Sequence, residues 1–348
     1  MQDLVGVIPA AGRGVRAYPY TATIPKCMLE VDGVPLVRRN VELLREQLGI
    51  RQVRVVTGHH GGMIRDYLGD GRALDVAITY VENTRLDLEL AYSVYVGTRG
   101  LETHCCVVLA DECYVGTNHA ELLAAADPDA LATLTFVRAD SPKAIRKNYV
   151  ATIRDDRILA LEEKPSTVRD ALMGTGTYLL HPRLVARLAA DFAGDLAAAP
   201  RDWTSWLGAR CREGALVRPF LLRGRYVNVN SRDDLNHANY LVRDRTFERR
   251  TASLVYVVDE AVRGGIGPAR RFADEPALAE VVVACPAGTV VPDELATHPK
   301  VRVLPHPDAG APPGVLLRHG IAGARGDILV LAYSDDTVVP HDLSLIHI

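Results

Sequence analysis

The sequence has no apolar run approaching the ~18 residues of a membrane-spanning helix. Its opening, MQDLVGVIPAAGRG, lacks the basic flank, long apolar core and cleavage site of a secretory signal. Cysteine is sparse, with six thiols at Cys27, Cys105, Cys106, Cys113, Cys211 and Cys285. That is too few for a disulfide scaffold, and no Cys-x-x-Cys pair suggests zinc. A large net charge is also missing: 40 basic against 43 acidic residues leave a formal charge of -3. Nothing global therefore calls for a nucleic-acid or membrane partner. The expectation is a soluble cytoplasmic protein with reduced thiols, in which any anionic ligand is held by a local cluster of positive groups.

What is present is ample material for a packed core, since 48% of the 348 residues are hydrophobic. The length, at about 150 residues per domain, suggests two domains or one large one with an appendage. Short β-rich runs at 4–9, 53–57, 76–81, 105–110 and 131–137 alternate with amphipathic stretches, the pattern of an α/β sheet. Pro35 suits a first helical position, after which Val37, Val41, Leu44 and Leu48 share one face. Asn118 can cap a helix over 120–126, ended by Asp127-Pro128.

From Tyr149 the rhythm changes, with runs at 150–153 and 158–161 flanking a turn at 154–157 as in a hairpin. Strands follow at 174–180 and 226–229, and Ser231 is placed to cap a helix running to about residue 247. The charged stretch 243–250 reads as an exit. Strands then recur at 253–258, 281–284, 301–304 and 328–331, like the opening half of a second nucleotide-binding α/β unit. At about 95 residues this unit is small for its kind. The expected organisation is a domain at 1–248 and an incomplete unit at 252–343. The tail 344–348 reads as non-native sequence. The fold class is α/β: a Rossmann-like mixed sheet flanked by helices, then an incomplete unit of related fold.

The strongest chemical signal is Pro9-Ala10-Ala11-Gly12-Arg13-Gly14-Val15-Arg16, continuing to Pro25-Lys26. It follows the first strand directly, at the carboxyl edge where open α/β sheets bind ligands. Gly12 and Gly14 let backbone amides approach a polyphosphate without an intervening Cβ. Arg13, Arg16 and Lys26 are cationic, and no acidic residue occurs between Asp3 and Glu30. A Walker loop is excluded because no Gly-Lys-Ser/Thr follows. The dinucleotide fingerprint is excluded because the third glycine is absent. Gly-x-Gly alone fits a tight turn with solvated arginines equally well; Arg16 and Pro25-Lys26 at this spacing favour phosphate.

With these residues in view, the region from about residue 4 to residue 246 resembles the sugar-phosphate nucleotidylyltransferases (nucleoside-diphosphate-sugar pyrophosphorylases). Their opening is Ala-Ala-Gly-x-Gly-x-Arg, then a loop, then Pro-Lys. Later landmarks are Val56-Thr57-Gly58, Leu109-Ala110-Asp111, Glu162-Glu163-Lys164-Pro165, residues 174–178 and Val227-Asn228-Val229-Asn230-Ser231. The resemblance implies a GT-A-type fold and a reaction that joins a nucleoside triphosphate to a sugar 1-phosphate or similar phosphate monoester, releasing pyrophosphate. Ala11, Gly12, Arg13, Gly14 and Gly58 would hold the nucleotide. Arg16 would stabilise the leaving pyrophosphate, Lys26 would meet the α-phosphate, and Lys164 the phosphate of the second substrate. Glu163, Gly174 and Tyr178 would line the acceptor pocket. Each lysine could instead be a solvated surface amine, and residues 174–178 a core strand.

An attacking phosphate is already largely dianionic at neutral pH, so the chemistry requires no general base. It requires two repelling anions held in line and neutralised. Asp111, at the end of an apolar strand, can bind Mg²⁺, a hard cation that takes oxygen ligands; a helix-capping aspartate is the alternative. The family often places a second metal-binding aspartate where this chain has Asn228 and Asn230, whose amide oxygens carry no charge. The stretch from Glu82-Asn83-Thr84 through Ala91-Tyr92-Ser93 partly matches the branch that handles choline phosphate. His59-His60 reads as a polar turn, its rings pointing apart.

Residues 252–343 resemble the start of a family-two-type glycosyltransferase, which would use a nucleotide-sugar donor. Its Asp-x-Asp metal motif stands here as Tyr333-Ser334-Asp335, followed by Asp336. Two further readings of the chain are glycosyl transfer as the main activity and a non-catalytic nucleotide-binding protein.

Overall fold

A computed structural model of the chain describes residues 4–12, 14, 20–139, 141–168, 171–194, 196, 199–258, 266 and 269–334. Two compact units emerge, Met1–Arg245 and Thr246–Ile348. Asp335, Asp336 and the tail 344–348 lie outside the described residues.

The first strand, Val5–Pro9, is buried at all five positions. Val7 belongs to one apolar cluster and Ile8 to another. Successive strand side chains leave opposite faces, so this sheet is covered on both sides, as a mainly parallel sheet requires. Seven strands lie in the order Val217–Leu221, Ala132–Arg138, Leu172–Leu180, Cys105–Val108, Val5–Pro9, Gln52–Thr57 and Ala77–Glu82. Leu172–Leu180 runs antiparallel to both its neighbours and the other pairings are parallel. Six carboxyl ends therefore share one edge, and the start of Leu172–Leu180 joins them there.

The helix Leu36–Leu48 buries Val37, Val41, Leu44 and Leu48, as their spacing predicts. Pro35 precedes the helix instead of opening it. Gly49, at φ 66°, closes it, with Gly49 N on Arg45 O and Ile50 N on Leu44 O. The strands Tyr149–Arg154 and Arg157–Glu163 form the expected hairpin, turned through Asp155 and Asp156, both at positive φ. Ser231 caps the helix Arg232–Arg249. Its hydroxyl accepts from Asp234 N at 3.3 Å and donates to Asp234 Oδ2 at 2.8 Å.

Asn118 differs from its expected role. The helix over 120–126 is only the short 3₁₀ turn His119–Glu121, and no side-chain cap forms there. The amide of Asn118 instead donates to Glu121 and accepts from Arg223 N at 2.7 Å. It ties that turn to a distant loop. His59 and His60 also differ: their ring centroids are 3.9 Å apart, so the rings do not diverge.

A two-stranded antiparallel ribbon pairs Glu112–Val115, which follows Cys105–Val108, with Arg225–Asn228, which precedes the helix Arg232–Arg249. It sets Asn228 directly opposite Glu112.

In the second unit, four parallel strands lie in the order Val301–His306, Leu278–Pro286, Ala252–Val257 and Ile328–Tyr333. Glu280, nearly buried, ties the amino ends together by accepting from Ser253 Oγ at 2.7 Å, Arg325 N at 2.5 Å and Arg302 at 2.8 Å. Burial opposes its ionisation, but these donors hold its pKa below the usual carboxylate value. No helix among the described residues is long and apolar enough to cross a membrane. All six cysteines are buried and none is in a disulfide.

Candidate active site

The carboxyl edge of the seven-stranded sheet opens into a cavity of about 650 Å³. Its wall contains Ala11, Gly12, Gly14, Lys26, Asp111, Asn228 and Asn230. Glu163, Lys164, Gly174 and Tyr178 belong to the same wall. Arg13 and Arg16 lie outside the described residues. Gly58 is not in the wall; it sits behind it, where a Cβ would lie 2.8 Å from Ala11 O. The absence of a side chain at Gly58 lets the first loop pack closely at Ala11.

The two loop glycines divide their tasks. A Cβ on Gly12 would meet nothing within 4 Å, so its backbone faces open space. Gly14 has φ 61°, and its carbonyl accepts from Thr21 Oγ1 at 2.8 Å. A Cβ there would crowd Lys26 Cβ at 2.9 Å. Gly14 thus shapes the loop and Gly12 leaves it approachable.

Lys26 follows Pro25 at the start of a short 3₁₀ turn, Lys26–Met28. Its ammonium donates to Asp111 Oδ2 and, at 2.6 Å, to Asn230 Oδ1. Asn230 Nδ2 donates to Asn228 Oδ1 at 2.6 Å, and Asn228 Nδ2 to Asn148 Oδ1 at 3.3 Å. Residues distant in sequence are thus joined in one polar chain. Its donor set of one carboxylate and amide oxygens is hard and suits Mg²⁺ better than a soft metal. With Lys26 seated on Asp111 and Asn230, a cation entering there would displace the lysine from them. Among the described residues no group of three or more His, Cys, Asp or Glu could hold a metal. A metal would therefore take the rest of its shell from phosphate oxygens and water.

Of the wall residues, Lys147, Glu112 and Tyr149 had no signal in the local sequence, whereas Lys164, Tyr178 and the stretch holding Asn83 and Ser93 did. Lys147 pairs with Asp234 Oδ1 at 2.9 Å. Burial alone would raise the Asp234 pKa, but Lys147, Ser231 and Asn230 N together hold it below the usual value. Lys164 has φ 46°, fixed by its amide donating to Asn148 O at 2.7 Å, and its ammonium rests 3.4 Å from Glu163. Asn83 and Ser93, joined at 2.8 Å, belong to the stretch singled out for its choline-phosphate likeness. Glu112, 1% exposed, is pushed up to about 8, first by burial and then by the charge on Asp111. Tyr149 and Tyr178 stack with ring centroids 6.4 Å apart, and burial raises both hydroxyl pKa values.

The chain is similar to known proteins over its first unit. A family model described as Nucleotidyl transferase matches residues 5–244. A glucose-1-phosphate thymidylyltransferase of Streptomyces griseus is 29% identical over 250 residues, covering 70% of this chain and 67% of that protein. A UTP–glucose-1-phosphate uridylyltransferase of Synechocystis is 29% identical over 210 residues, covering 55% of this chain and 53% of that protein. The crystal structure of a UDP-glucose pyrophosphorylase with UDP-glucose superposes with a TM-score of 0.58 at 20% identity, covering 70% of this chain and 99% of that one. That last likeness concerns the fold.

Proposed function

Because the chain belongs to the nucleotidyl transferase family, we propose that its first unit transfers a nucleotidyl group from a nucleoside triphosphate to a sugar 1-phosphate. An oxygen of the acceptor phosphate forms a new bond to the α-phosphorus. The bond from that phosphorus to the bridging oxygen of the β-phosphate breaks, and its electron pair leaves with pyrophosphate. The observation that carries the reading is the convergence of Lys26, Asp111, Asn228 and Asn230 on one cavity beside the open backbone of Gly12.

In this reading the Gly12 backbone receives the triphosphate and Lys26 neutralises charge on the α-phosphate. Lys164, with Lys147 as a second cation on the same wall, draws in the acceptor phosphate. Mg²⁺, when bound, would screen the triphosphate charge, held by Asp111 with an amide oxygen of Asn228 or Asn230. Within the cavity, at a lower dielectric than bulk water, each cation acts more strongly on the two anions.

For the second unit, the resemblance of residues 252–343 supports a proposal of nucleotide-sugar binding for glycosyl transfer. Its four-stranded parallel sheet is compatible with that proposal.

Pyrophosphate release, measured with the four common triphosphates and a panel of phosphate monoesters, tests the main reading. Turnover that disappears in Lys26→Ala and Asp111→Ala is the expected result. Nucleotide binding without turnover across the whole panel would overturn it and favour a non-catalytic nucleotide-binding protein.

A further inference from the structure

The strand Leu172–Leu180 carries glycine at 174 and 176, in the wall expected to receive the acceptor. Neither glycine leaves room for a ligand. A Cβ on Gly174 would lie 2.1 Å from the Tyr149 ring, and one on Gly176 would lie 2.6 Å from Glu112 Oε1. Glycine within a strand commonly marks such a close approach. The two glycines therefore let an aromatic ring and a carboxyl group lie flat against the strand, and these form the surface that a ligand meets.

Glu112 lines the cavity together with both glycines. It follows Asp111 directly, and across the ribbon it faces Asn228. Tyr114 donates to its Oε2 at a long 3.4 Å, and the Tyr226 hydroxyl and the Gly176 amide also act on the carboxyl group. Even when protonated, a carboxyl group keeps acceptor capacity beside its O–H donor, so a hydroxyl group brought by a ligand can still be matched there. A carboxyl group shielded from water is costly to leave unmatched. It favours a partner with hydroxyl groups and rejects the analogue that lacks them.

Building on the reading of the first unit as a sugar 1-phosphate nucleotidyltransferase, we propose that Glu112 is a specificity-determining residue. Its carboxyl oxygen accepts a hydrogen bond from a ring hydroxyl of the acceptor, and Gly176 is required to hold that oxygen in place.

The test uses the full chain as wild type, Glu112→Ala, Glu112→Gln and Gly176→Ala. Acceptors are glucose 1-phosphate and its 2-, 3-, 4- and 6-deoxy forms, with the triphosphate that the wild type prefers. The expected result for Glu112→Ala is a rise of about tenfold or more in KM for glucose 1-phosphate, with KM for the triphosphate within twofold of wild type. At least one deoxy acceptor rejected by the wild type is then used by Glu112→Ala as readily as glucose 1-phosphate. Glu112→Gln, which keeps an acceptor oxygen, restores part of the discrimination, and Gly176→Ala loses it. Should Glu112→Ala fail to fold, the Gln and Gly176 variants carry the same comparison. Unchanged acceptor KM overturns the inference, as does an equal rise in both KM values. A wild type that turns over no sugar 1-phosphate overturns the functional reading itself. Wild-type turnover indifferent to position 112 overturns only this inference.

Discussion

Removing Lys26 is the most informative single perturbation, because its ammonium is shared by Asp111 and Asn230. The Lys26 and Asp111 side chains are 12% and 25% exposed. Lys26→Ala strands a largely buried carboxylate together with an amide oxygen, and leaving such groups unmatched costs about 1–3 kcal/mol. Asp111→Ala strands the ammonium at a similar cost. The double variant removes both stranded groups, so its loss should fall short of the summed single losses by 0.5 kcal/mol or more, roughly. In a unit of this size each 1 kcal/mol moves Tm by about 2–4 °C. Turnover should fall by roughly 10²–10³ in Lys26→Ala, as when one donor to a developing oxyanion is deleted. Lys26→Arg should recover more of the stability than of the turnover, since a planar fork does not reproduce a point charge. Denaturant unfolding of the four proteins and pyrophosphate release supply the readings. Additivity of the stability losses to within about 0.3 kcal/mol would show that the side chains do not share a site.

Three further outcomes are expected. Asn228→Asp adds a charge beside Asp111 and should tighten Mg²⁺ or Mn²⁺ binding in the presence of nucleotide by on the order of tenfold; unchanged affinity in calorimetry excludes residue 228 as a ligand. Gly174→Ala drives a methyl into the Tyr149 ring and should cost about 1–3 kcal/mol or more in unfolding experiments, whereas Gly12→Ala, with open space, should leave Tm unchanged. Glu112 holds its proton in the folded state up to about pH 8 but releases it when unfolded near its ordinary value of 4.5. It therefore contributes stability that is complete below pH 4.5 and is lost as pH rises through 8. Unfolding free energy should decline by up to about 1.4 kcal/mol per pH unit across that window. Glu112→Gln should flatten the decline, and an unaltered slope would rule out this origin.

The sheet was legible because its strands are short, apolar and bounded by turn residues, a signal that survives burial on both faces. Ser231 was legible for another reason: a cap is a local event, here closed three residues on by Asp234. Asn118 has the right chemistry for a cap, but Arg223 and Glu121 engage its amide, and no local pattern foretells a partner a hundred residues away. The same reasoning explains the site. Lys26 and Asp111 stand beside recognisable turns and strand ends. Lys147 and Glu112 become part of the cavity only through the hairpin and ribbon that bring them there. The glycines at 174 and 176 were visible as residues, but the Tyr149 ring and Glu112 carboxyl that they accommodate were not.

The ribbon joining Glu112–Val115 to Arg225–Asn228 has a consequence for synthesis. Lys26 and its partner Asn230 are 204 positions apart. At 5–20 residues per second, the ribosome delivers the second about 10–40 s after the first. A nascent chain halted before Arg225 would already display the glycine loop, the lysine and the aspartate, yet the ammonium would have only half of its cradle. Catalytic competence is thus a late event in the life of each polypeptide, and a prematurely ended product would be inert despite carrying every opening motif.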